Sequence, residues 1–464
     1  MRVSKLIIGL LSIFIACISS FPLYSVESGD IVVHLPTDKK LLSIYISEAI
    51  EDQWKFSHSH LKDLESILEF DLAHSGLLES LPRDVNIEKI LSKGSFEGSE
   101  SVGELQKSDA YYIIRLQARK NVLQSKVIHL SSQKATFSNP IILSGDLNRD
   151  RKLIHQLSDF IHQQILSYPG IASTRILYTI RVPGPTDNNW LSEVWECDWD
   201  GANARQVSQE NAYCVTPKYL NAGLGKVPSH YFYVSYRTGQ PKIYIGSLKG
   251  KDSQRFTTLR GNQLMPIASN ARDKVAFISD ATGNPDLFLQ DFTPEAGPIG
   301  KPRQIYATVR GTQASPTFSP NGDQIAFVSN KSGSPRIYIM EVPEGRAHLG
   351  KIHTTLISKL NRENTAPSWS PDGKKIAYSA KTNGTRQIWV YDNDTKREMQ
   401  ITSGPGNKEN PSWAPNSLHI VFDHNTESGS ELFMVNLNQP KAVQLSSGKG
   451  EKRFPDWSPR LLSE

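Results

Sequence analysis

The sequence predicts a two-domain chain: an N-terminal α+β domain followed by an all-β six-bladed β-propeller, closed by pairing of the C-terminal strand with the first propeller strands. Three observations predict it, namely an internal repeat, the regular spacing of its copies, and complementary incomplete copies at its two ends. The predicted boundaries are a signal peptide at 1–20, the α+β domain with an extended N-terminal segment at 21–168, a linker at 169–174 and the propeller at 175–464.

The repeat fills the second half of the chain. Each copy has a proline, an aromatic residue, a turn and two apolar strand-like pieces in the same order. Each begins at an anchor proline, and these are Pro217, Pro266, Pro316, Pro367, Pro411 and Pro455, at intervals of 49, 50, 51, 44 and 44 residues. Four strand-like pieces in each period of about 40 to 50 residues are typical of a β-propeller.

The two ends of the repeat complement each other. The last copy holds Pro455 and Trp457 but only a first strand, while residues 176–181, 193–197 and 205–208 supply three strands without a first one. We therefore expect one blade assembled from both ends, with the final strand beside Leu177. Five complete blades and this composite blade make six, and the closed ring leaves no free sheet edge.

The N-terminal region has a different pattern. Residues 30–35 and 42–46 are predicted as strands, and residues 110–117 and 121–130 as a strand pair. Leucine and isoleucine recur at helical spacing after Ser59, the predicted N-cap, and Gly76 is predicted to end that helix. A second helix is predicted over residues 153–165, so the region is expected to be a small α+β domain.

The first residues indicate export. Arg2 and Lys5 precede an apolar stretch, residues 6–18, that is too short to span a bilayer, which is typical of a secretory signal. Lipidation of Cys17 is a less favoured alternative, because residues 14–17 loosely resemble a lipoprotein cleavage box. No transmembrane segment is predicted.

Two cysteines, Cys197 and Cys214, remain in the exported chain, where a disulfide is permitted. Two buried thiols are favoured over a disulfide, because Cys197 lies late in one strand and Cys214 at the opposite end of the blade.

Composition and motifs argue against several functions. A net charge of +5 over 464 residues is too weak to indicate nucleic acid as the main partner. The Asp198-x-Asp200-Gly201 stretch resembles the start of a calcium loop, but Val207 stands where a bidentate glutamate is needed, so a simple turn is favoured. No G-x-S-x-G elbow is present. We predict no catalytic residue, cofactor or metal.

The loops before the anchor prolines carry the more informative side chains. Each joins the outer strand of one blade to the inner strand of the next at one mouth of the channel. The basic residues predicted there to bind a partner are Arg260, Arg310, Arg362, Lys408, Lys452 and Arg453. The favoured interpretation is a docking mouth for a partner segment bearing carboxylates, steered by charge; an ordinary solvated surface is the alternative.

Three stretches resemble the TolB family, the periplasmic component of the Tol-Pal system of Gram-negative envelopes. LKDLESILEFDLAHSGLLESLPR resembles the family's first-domain helix, GIASTRILYTI its entry into the propeller, and FPDWSPRLL its terminal blade-closing strand. The resemblance covers nearly the whole mature chain.

The resemblance implies a monomeric, non-enzymatic periplasmic adaptor that supports outer-membrane integrity and cell division. The propeller mouth is then expected to bind the lipoprotein Pal, and through Pal the chain is expected to be peripheral to the outer membrane. A segment within residues 21–35 is expected to bind TolA. The family's Pal-contacting positions fall here on Asn262, Met265 and Ala314.

Two other classes of function stay open. A secreted propeller enzyme acting on a glycan or peptide would need acids and a histidine or tyrosine converging in the channel, whereas the inner-strand positions are mainly proline, serine, alanine and aromatic. The other class is a sensor of a small ligand or metal, and the calcium-like stretch at Asp198-x-Asp200-Gly201 is the one feature that supports it.

Overall fold

The computed structural model describes residues 31–34, 40–98, 102–106, 108–186, 189–221, 227–250, 252–345 and 352–460. It confirms the predicted fold class, because an N-terminal α+β region precedes six antiparallel blades and the C-terminal strand completes the first blade. The predicted signal peptide, Cys17 and most of residues 21–35 lie outside the described residues. No helix in the described ranges is long and apolar enough to cross a bilayer.

The N-terminal region is a mixed sheet covered by helices. Its elements in chain order are β1 (Val32–Val33), β2 (Leu42–Ile46), β3 (Ile50–Asp52), α1 (His58–Ala73), β4 (Leu78–Ser80), α2 (Val85–Lys93), α3 (Val102–Leu105), β5 (Tyr112–Arg119), β6 (Val122–His129), β7 (Lys134–Phe137), β8 (Ile141–Ile142) and α4 (Leu147–Leu166). The sheet has the order β4-β2-β5-β6-β7, with β3 beside β5 and β8 beside β6. The core of the region holds Leu64 and Leu68 of α1, Leu157 and Ile161 of α4, and Ile114 of β5.

The first long helix begins and ends earlier than predicted. Ser57 caps it, because its hydroxyl accepts a hydrogen bond from the His60 N–H at 3.2 Å, so the choice of Ser59 was wrong. The helix ends at Ala73, and Gly76 lies three residues beyond it with φ +83°. Helix α2 was not predicted, although Ile87, Ile90 and Leu91 recur at helical spacing and pack on one core cluster of the N-terminal region.

The propeller strands follow in chain order. They are β9 (Arg175–Pro183), β10 (Trp190–Asp198), β11 (Arg205–Gln206), β12 (Cys214–Tyr219), β13 (His230–Ser235), β14 (Lys242–Ser247), β15 (Ser253–Arg255), β16 (Gln263–Ala268), β17 (Lys274–Ser279), β18 (Asp286–Thr293), β19 (Gly297–Tyr306), β20 (Gln313–Phe318), β21 (Gln324–Ser329), β22 (Arg336–Glu341), β23 (Thr355–Leu356), β24 (Asn364–Trp369), β25 (Lys375–Thr382), β26 (Thr385–Asp392), β27 (Glu398–Gln400), β28 (Thr402–Ser403), β29 (Asn407–Trp413), β30 (His419–Thr426), β31 (Gly429–Asn436), β32 (Gln439–Gln444) and β33 (Glu451–Trp457).

Each blade is a sheet of four antiparallel strands. From the innermost strand outward, blade I is β33-β9-β10-β11, blade II is β12 to β15, blade III is β16 to β19, blade IV is β20 to β23, blade V is β24 to β27 and blade VI is β29 to β32. Most of the apolar core lies between neighbouring blades, where their faces pack together.

The composite blade closes as predicted. Strand β33 pairs antiparallel with β9, with Asp456 opposite Leu177 and Trp457 opposite Ile176. Trp457 is buried, and its indole N–H donates to the Thr174 hydroxyl at 2.8 Å. The two ends of the propeller sequence are therefore joined by a ladder and by a buried side chain.

Every innermost strand has a β-bulge at the residue before its anchor proline. These residues have φ between 46° and 54°, and they are Thr216, Met265, Ser315, Ala366, Asn410 and Phe454. Proline cannot donate to a ladder and disfavours the right-handed helical region for the residue before it. The bulge meets both constraints, which explains why a proline recurs inside a central strand.

Residues 31–34 lie against the propeller. Strand β1 pairs with β32, the outer strand of blade VI, and with β28, which follows blade V. The Val33 side chain is buried, and the His34 N–H donates to the Ile401 carbonyl at 2.7 Å. The segment therefore bridges two blades.

The cysteine prediction is confirmed. Cys197 and Cys214 are both free and buried. Burial raises the pKa of both thiols, so neither is poised for reaction.

Candidate functional site

The described part of the α+β region, residues 40–166 apart from its gaps, contacts one end of the propeller. The side-chain amides of Asn438 and Gln439, in the last turn of blade VI, donate to the carbonyls of Gly76 and Ala73 at 2.9 and 2.7 Å. The loops that join one blade to the next lie at the opposite end of the same strands. We call the opening surrounded by these blade-to-blade loops the free mouth, and all nine predicted partner-binding residues lie in or beside those loops.

Three of the predicted cations are exposed at the free mouth. Arg260, Arg310 and Arg362 lie on three consecutive blade-to-blade loops. Two exposed apolar side chains accompany them: Val309 is 95% exposed and Leu360 is 66% exposed. Apolar side chains exposed beside arginines are common features of protein-binding surfaces.

Lys408 and Lys452 are not part of that exposed rim, and the expectation that they are is wrong. Both are buried, and their ammonium groups are bonded within their own loops. Lys408 Nζ donates to the carbonyls of Gly404 and Pro405 at 2.9 and 2.5 Å, and Lys452 Nζ donates to the Gly448 carbonyl at 2.6 Å. Burial lowers the pKa of Lys408 to about 8.

The same position fastens the loop in other blades. Gln263 Nε2 and Asn364 Nδ2 each donate to a carbonyl of the loop before them, at 2.6 and 2.7 Å, and Gln313 Nε2 donates to a loop hydroxyl at 3.1 Å. The first or second residue of the innermost strand therefore folds back and fixes the loop. The signal was present in the sequence, because a polar or basic residue stands three residues before five of the six anchor prolines.

The three positions implied by the family resemblance, Asn262, Met265 and Ala314, lie at or next to the start of the innermost strands and make contacts within the propeller. The Asn262 backbone N–H and side-chain amide both donate to the Asp280 carboxylate, at 2.6 and 2.8 Å. Met265 Sδ accepts from the Ser315 N–H at 3.1 Å, which joins blade III to blade IV. Ala314 is half-buried beside the packed faces of blades IV and V. Binding of a partner by these three residues stays a prediction.

The remaining predicted cation, Arg453, is half-buried and held in place. Its Nε donates to Glu451 at 2.8 Å, and the same carboxylate also accepts from Arg181 at 2.5 Å. Arg453 thus shares its partner with a neighbouring strand. Of the predicted cations, Arg260, Arg310 and Arg362 alone are exposed.

A buried ionic cluster joins the N-terminal region to the other end of the propeller. His155 Nδ1 lies 2.8 Å from Asp71 Oδ2, and His155 Nε2 lies 3.7 Å from Asp200 Oδ2. Although burial opposes a charged imidazole, the carboxylates of Asp71 and Asp200 raise the pKa of His155 to about 9. Arg151 also pairs with Asp200. The calcium-like stretch of the sequence is thus an interdomain contact.

The cluster has residue types that can hold a metal ion, but its atoms are already used. Asp71, His155 and Asp200 bring one ligand atom each within 4.8 Å of one another. Asp71 Oδ2 also accepts from the Ser158 hydroxyl at 2.6 Å, and Asp200 Oδ2 pairs with the Arg151 guanidinium. Asp71 Oδ1 accepts from the Trp199 indole N–H, and the charged His155 imidazole has no lone pair for a metal, so the three side chains act as an ion-pair cluster.

Comparison with known proteins places the chain among TolB sequences. A family model described as the TolB beta propeller domain matches residues 162–461. The Protein TolB homolog of Protochlamydia amoebophila is 47% identical over 397 residues, 85% of each chain. The Protein TolB homolog of Chlamydia felis is 36% identical over 400 residues, 86% of each chain. The crystal structure of TolB from Acinetobacter baumannii superposes with a TM-score of 0.71 at 21% identity, covering 93% of this chain and 100% of that one, which supports the fold.

Proposed function

The chain belongs to the TolB family, and from that membership we propose that it is a periplasmic, non-enzymatic adaptor of the Tol-Pal envelope system. In this proposal the free mouth binds the outer-membrane lipoprotein Pal, and a segment within residues 21–35 binds TolA. The adaptor, a monomer, thereby supports outer-membrane integrity and cell division. The observation that carries the proposal is the open mouth with exposed arginines on three consecutive loops.

Charge and apolar contact would act together at the free mouth. Arg310 and Arg362 offer guanidinium groups to partner carboxylates, where charge-assisted hydrogen bonds are stronger than neutral ones. Val309 and Leu360 would lose water when covered by the partner. The rim cations would mainly raise the association rate, and the apolar pair would slow dissociation. The fastened loops need little ordering on binding, which favours affinity.

The segment that carries β1 suits a displaceable role. Among the described residues of this segment, Val32 and Val33 alone form the ladder and the His34 N–H adds one further bond, so few of the described hydrogen bonds oppose its release. A TolA strand could take the place of the segment or pair with it after release. Strands β28 and β32, which β1 contacts, lead directly into two loops of the free mouth. Binding at one site could therefore shift the population that is competent at the other.

Affinity for Pal measured by calorimetry tests the proposal. We expect Arg310→Glu and Arg362→Glu each to weaken Pal binding about tenfold, which corresponds to about 1.4 kcal/mol, and the loss to shrink at high salt. Arg397→Glu is the matched control, because Arg397 is exposed in a blade V turn at the opposite end of the propeller. Unchanged affinity in both mouth variants would contradict the proposal. Absence of Pal binding together with turnover of an envelope glycan or peptide would favour the enzyme alternative.

A further inference from the structure

Asp423 is a buried acid at a position that is apolar or neutral in the other blades. The strand registers place it at the same site as Val234, Ile278 and Val328 of blades II to IV. Its exposure is 0%, and it lies in β30, opposite Glu409 of β29 near the free mouth. Blade VI therefore buries a carboxyl group where the other blades bury a neutral side chain. Burial of such a group is costly unless it is hydrogen-bonded.

Asp423 connects two neighbouring bulges. Its Oδ1 accepts from Asn410 Nδ2 at 2.9 Å and from the Phe454 backbone N–H at 3.1 Å. Asn410 and Phe454 are the left-handed bulge residues of blades VI and I. The carboxylate therefore ties the closing strand β33 to blade VI, where the ring depends on pairing between the two ends of the chain.

A second contact leads from Asp423 to the channel surface. Asn425 Nδ2 donates to Asp423 Oδ2 at 2.8 Å and to Glu409 Oε2 at 3.1 Å. Asn425 Oδ1 is buried and has no hydrogen-bond partner among the described residues. The Glu409 side chain is 30% exposed and pairs with Arg386 of blade V at 3.2 Å. The Asn425 amide thus links the buried carboxyl group of Asp423 to the partly exposed carboxyl group of Glu409.

We propose that Asp423, Asn425 and Glu409 form a proton-operated switch in the free mouth. The ionised Asp423 accepts the three donors described above. A proton on Asp423 needs an acceptor, and the unpaired Asn425 Oδ1 becomes that acceptor when the amide turns over. After this rotation the oxygen of the Asn425 amide faces Glu409 in place of its NH₂ group. Glu409 thereby loses the hydrogen bond from Asn425 and moves toward Arg386 and solvent.

The burial of Asp423 and the charge next to it set the pH at which it takes up a proton, and this pH is near neutral. Burial, with a smaller contribution from the Glu409 charge, raises the pKa of Asp423 to about 7. The other titratable and charged groups around Asp423 already have partners. They are His424 in β30, held by the Pro405 carbonyl, Lys408 in β29, Glu431 in β31, Lys452 and Arg453 in β33, and Arg386 in β26.

The switch regulates the site described above, so its effect on a partner rests on the proposed function, whereas the switch itself can be tested without a partner. Hydrogen–deuterium exchange of the full chain is measured from pH 5.5 to 8.5 and corrected for intrinsic rates. We expect a several-fold change in protection of residues 405–412 and 450–456, with a midpoint near pH 7. Asp423→Asn, which carries no titrating proton, should abolish this change.

Two further variants keep the test decisive. His424→Gln is the matched control, because it removes the adjacent titratable group, and the midpoint should stay where it was. Glu409→Gln removes the neighbouring negative charge, so the midpoint should move to lower pH even if Asp423→Asn does not fold. The same pH dependence in Asp423→Asn, no pH dependence in the unmodified chain, or an unmoved midpoint in Glu409→Gln overturns the switch. None of these outcomes depends on Pal, whose affinity reports separately on the proposed function.

Discussion

Replacing His155 should loosen the N-terminal region from the propeller, and the size of the effect should depend on pH. The imidazole of α4 lies between Asp71 of α1 and Asp200 of the propeller, at 2.8 and 3.7 Å. Asp71 also accepts from the Trp199 indole N–H at 2.9 Å. A single buried cation therefore lies between two acids that belong to different parts of the molecule.

The sign and magnitude follow from the pKa of His155. Its ordinary value is 6.5 and its value in the fold is about 9, so the folded state binds the proton more tightly than the unfolded state. The stabilisation is fully present below about pH 6.5 and is lost as pH rises through about 9. The difference corresponds to at most about 3 kcal/mol, and we expect about 2 kcal/mol because Arg151 also neutralises Asp200.

The assay is urea unfolding of the full chain at pH 6, 7.5 and 9, with His155→Gln compared with the unmodified protein at each pH. We expect His155→Gln to be destabilised by about 2 kcal/mol at pH 6 and by much less at pH 9. His162→Gln is the matched control, because His162 is also buried in α4 but burial lowers its pKa. A destabilisation of His155→Gln that is the same at pH 6 and pH 9 would refute the charged-imidazole account.

Two other variants test the loops and the closure. Lys408→Met leaves loop carbonyls without their donor and should cost about 1–3 kcal/mol at pH 7 by thermal unfolding. Because the pKa of Lys408 is about 8 rather than 10.5, loss of its proton favours the folded chain between pH 8 and 10.5, so the stability of the unmodified chain relative to Lys408→Met should rise over that range. Trp457→Ala empties a buried site in the closing strand and should cost about 3–5 kcal/mol in urea unfolding. Trp457→Phe keeps most of the volume and loses mainly the bond to Thr174, so a cost equal to that of alanine would contradict the packing argument.

The ring could be predicted from the sequence because its signals are local and repeated. Each anchor proline marks an innermost strand, and the unmatched strand with Trp457 shows how the ring closes. Helix α2 was overlooked although Ile87, Ile90 and Leu91 have helical spacing, because a helix of nine residues shows this apolar pattern over little more than one turn. The cap of α1 was misplaced by two residues, because Ser57 and Ser59 have the same chemistry and only backbone geometry distinguishes them.

The site was predicted less completely, because a sequence does not tell where a side chain points. Lys408 and Arg362 both belong to blade-to-blade connections, yet one bonds its own loop and the other is exposed. Val309 and Leu360 were overlooked because the search followed charge, although apolar residues in otherwise polar loops were a readable signal. Asp423 could have been found by aligning the second strand of each blade.

The distribution of contacts around the ring explains where binding can occur. Both ends of the described propeller sequence, residues 31–34 and most contacts of the N-terminal region fall on blades V, VI and I. These blades are bonded to other parts of the chain at their edges and at one end. In their loops the ammonium groups of Lys408 and Lys452 are used to hold the loop backbone in place. At the junctions from blade II to blade V the neutral Gln263, Gln313 and Asn364 fasten the loops instead. The cations of those loops, Arg260, Arg310 and Arg362, are exposed. The N-terminal segment contacts β28 and β32, the strands that enter the loops on either side of blade VI, and the Asp423 cluster joins the innermost strands that follow those two loops.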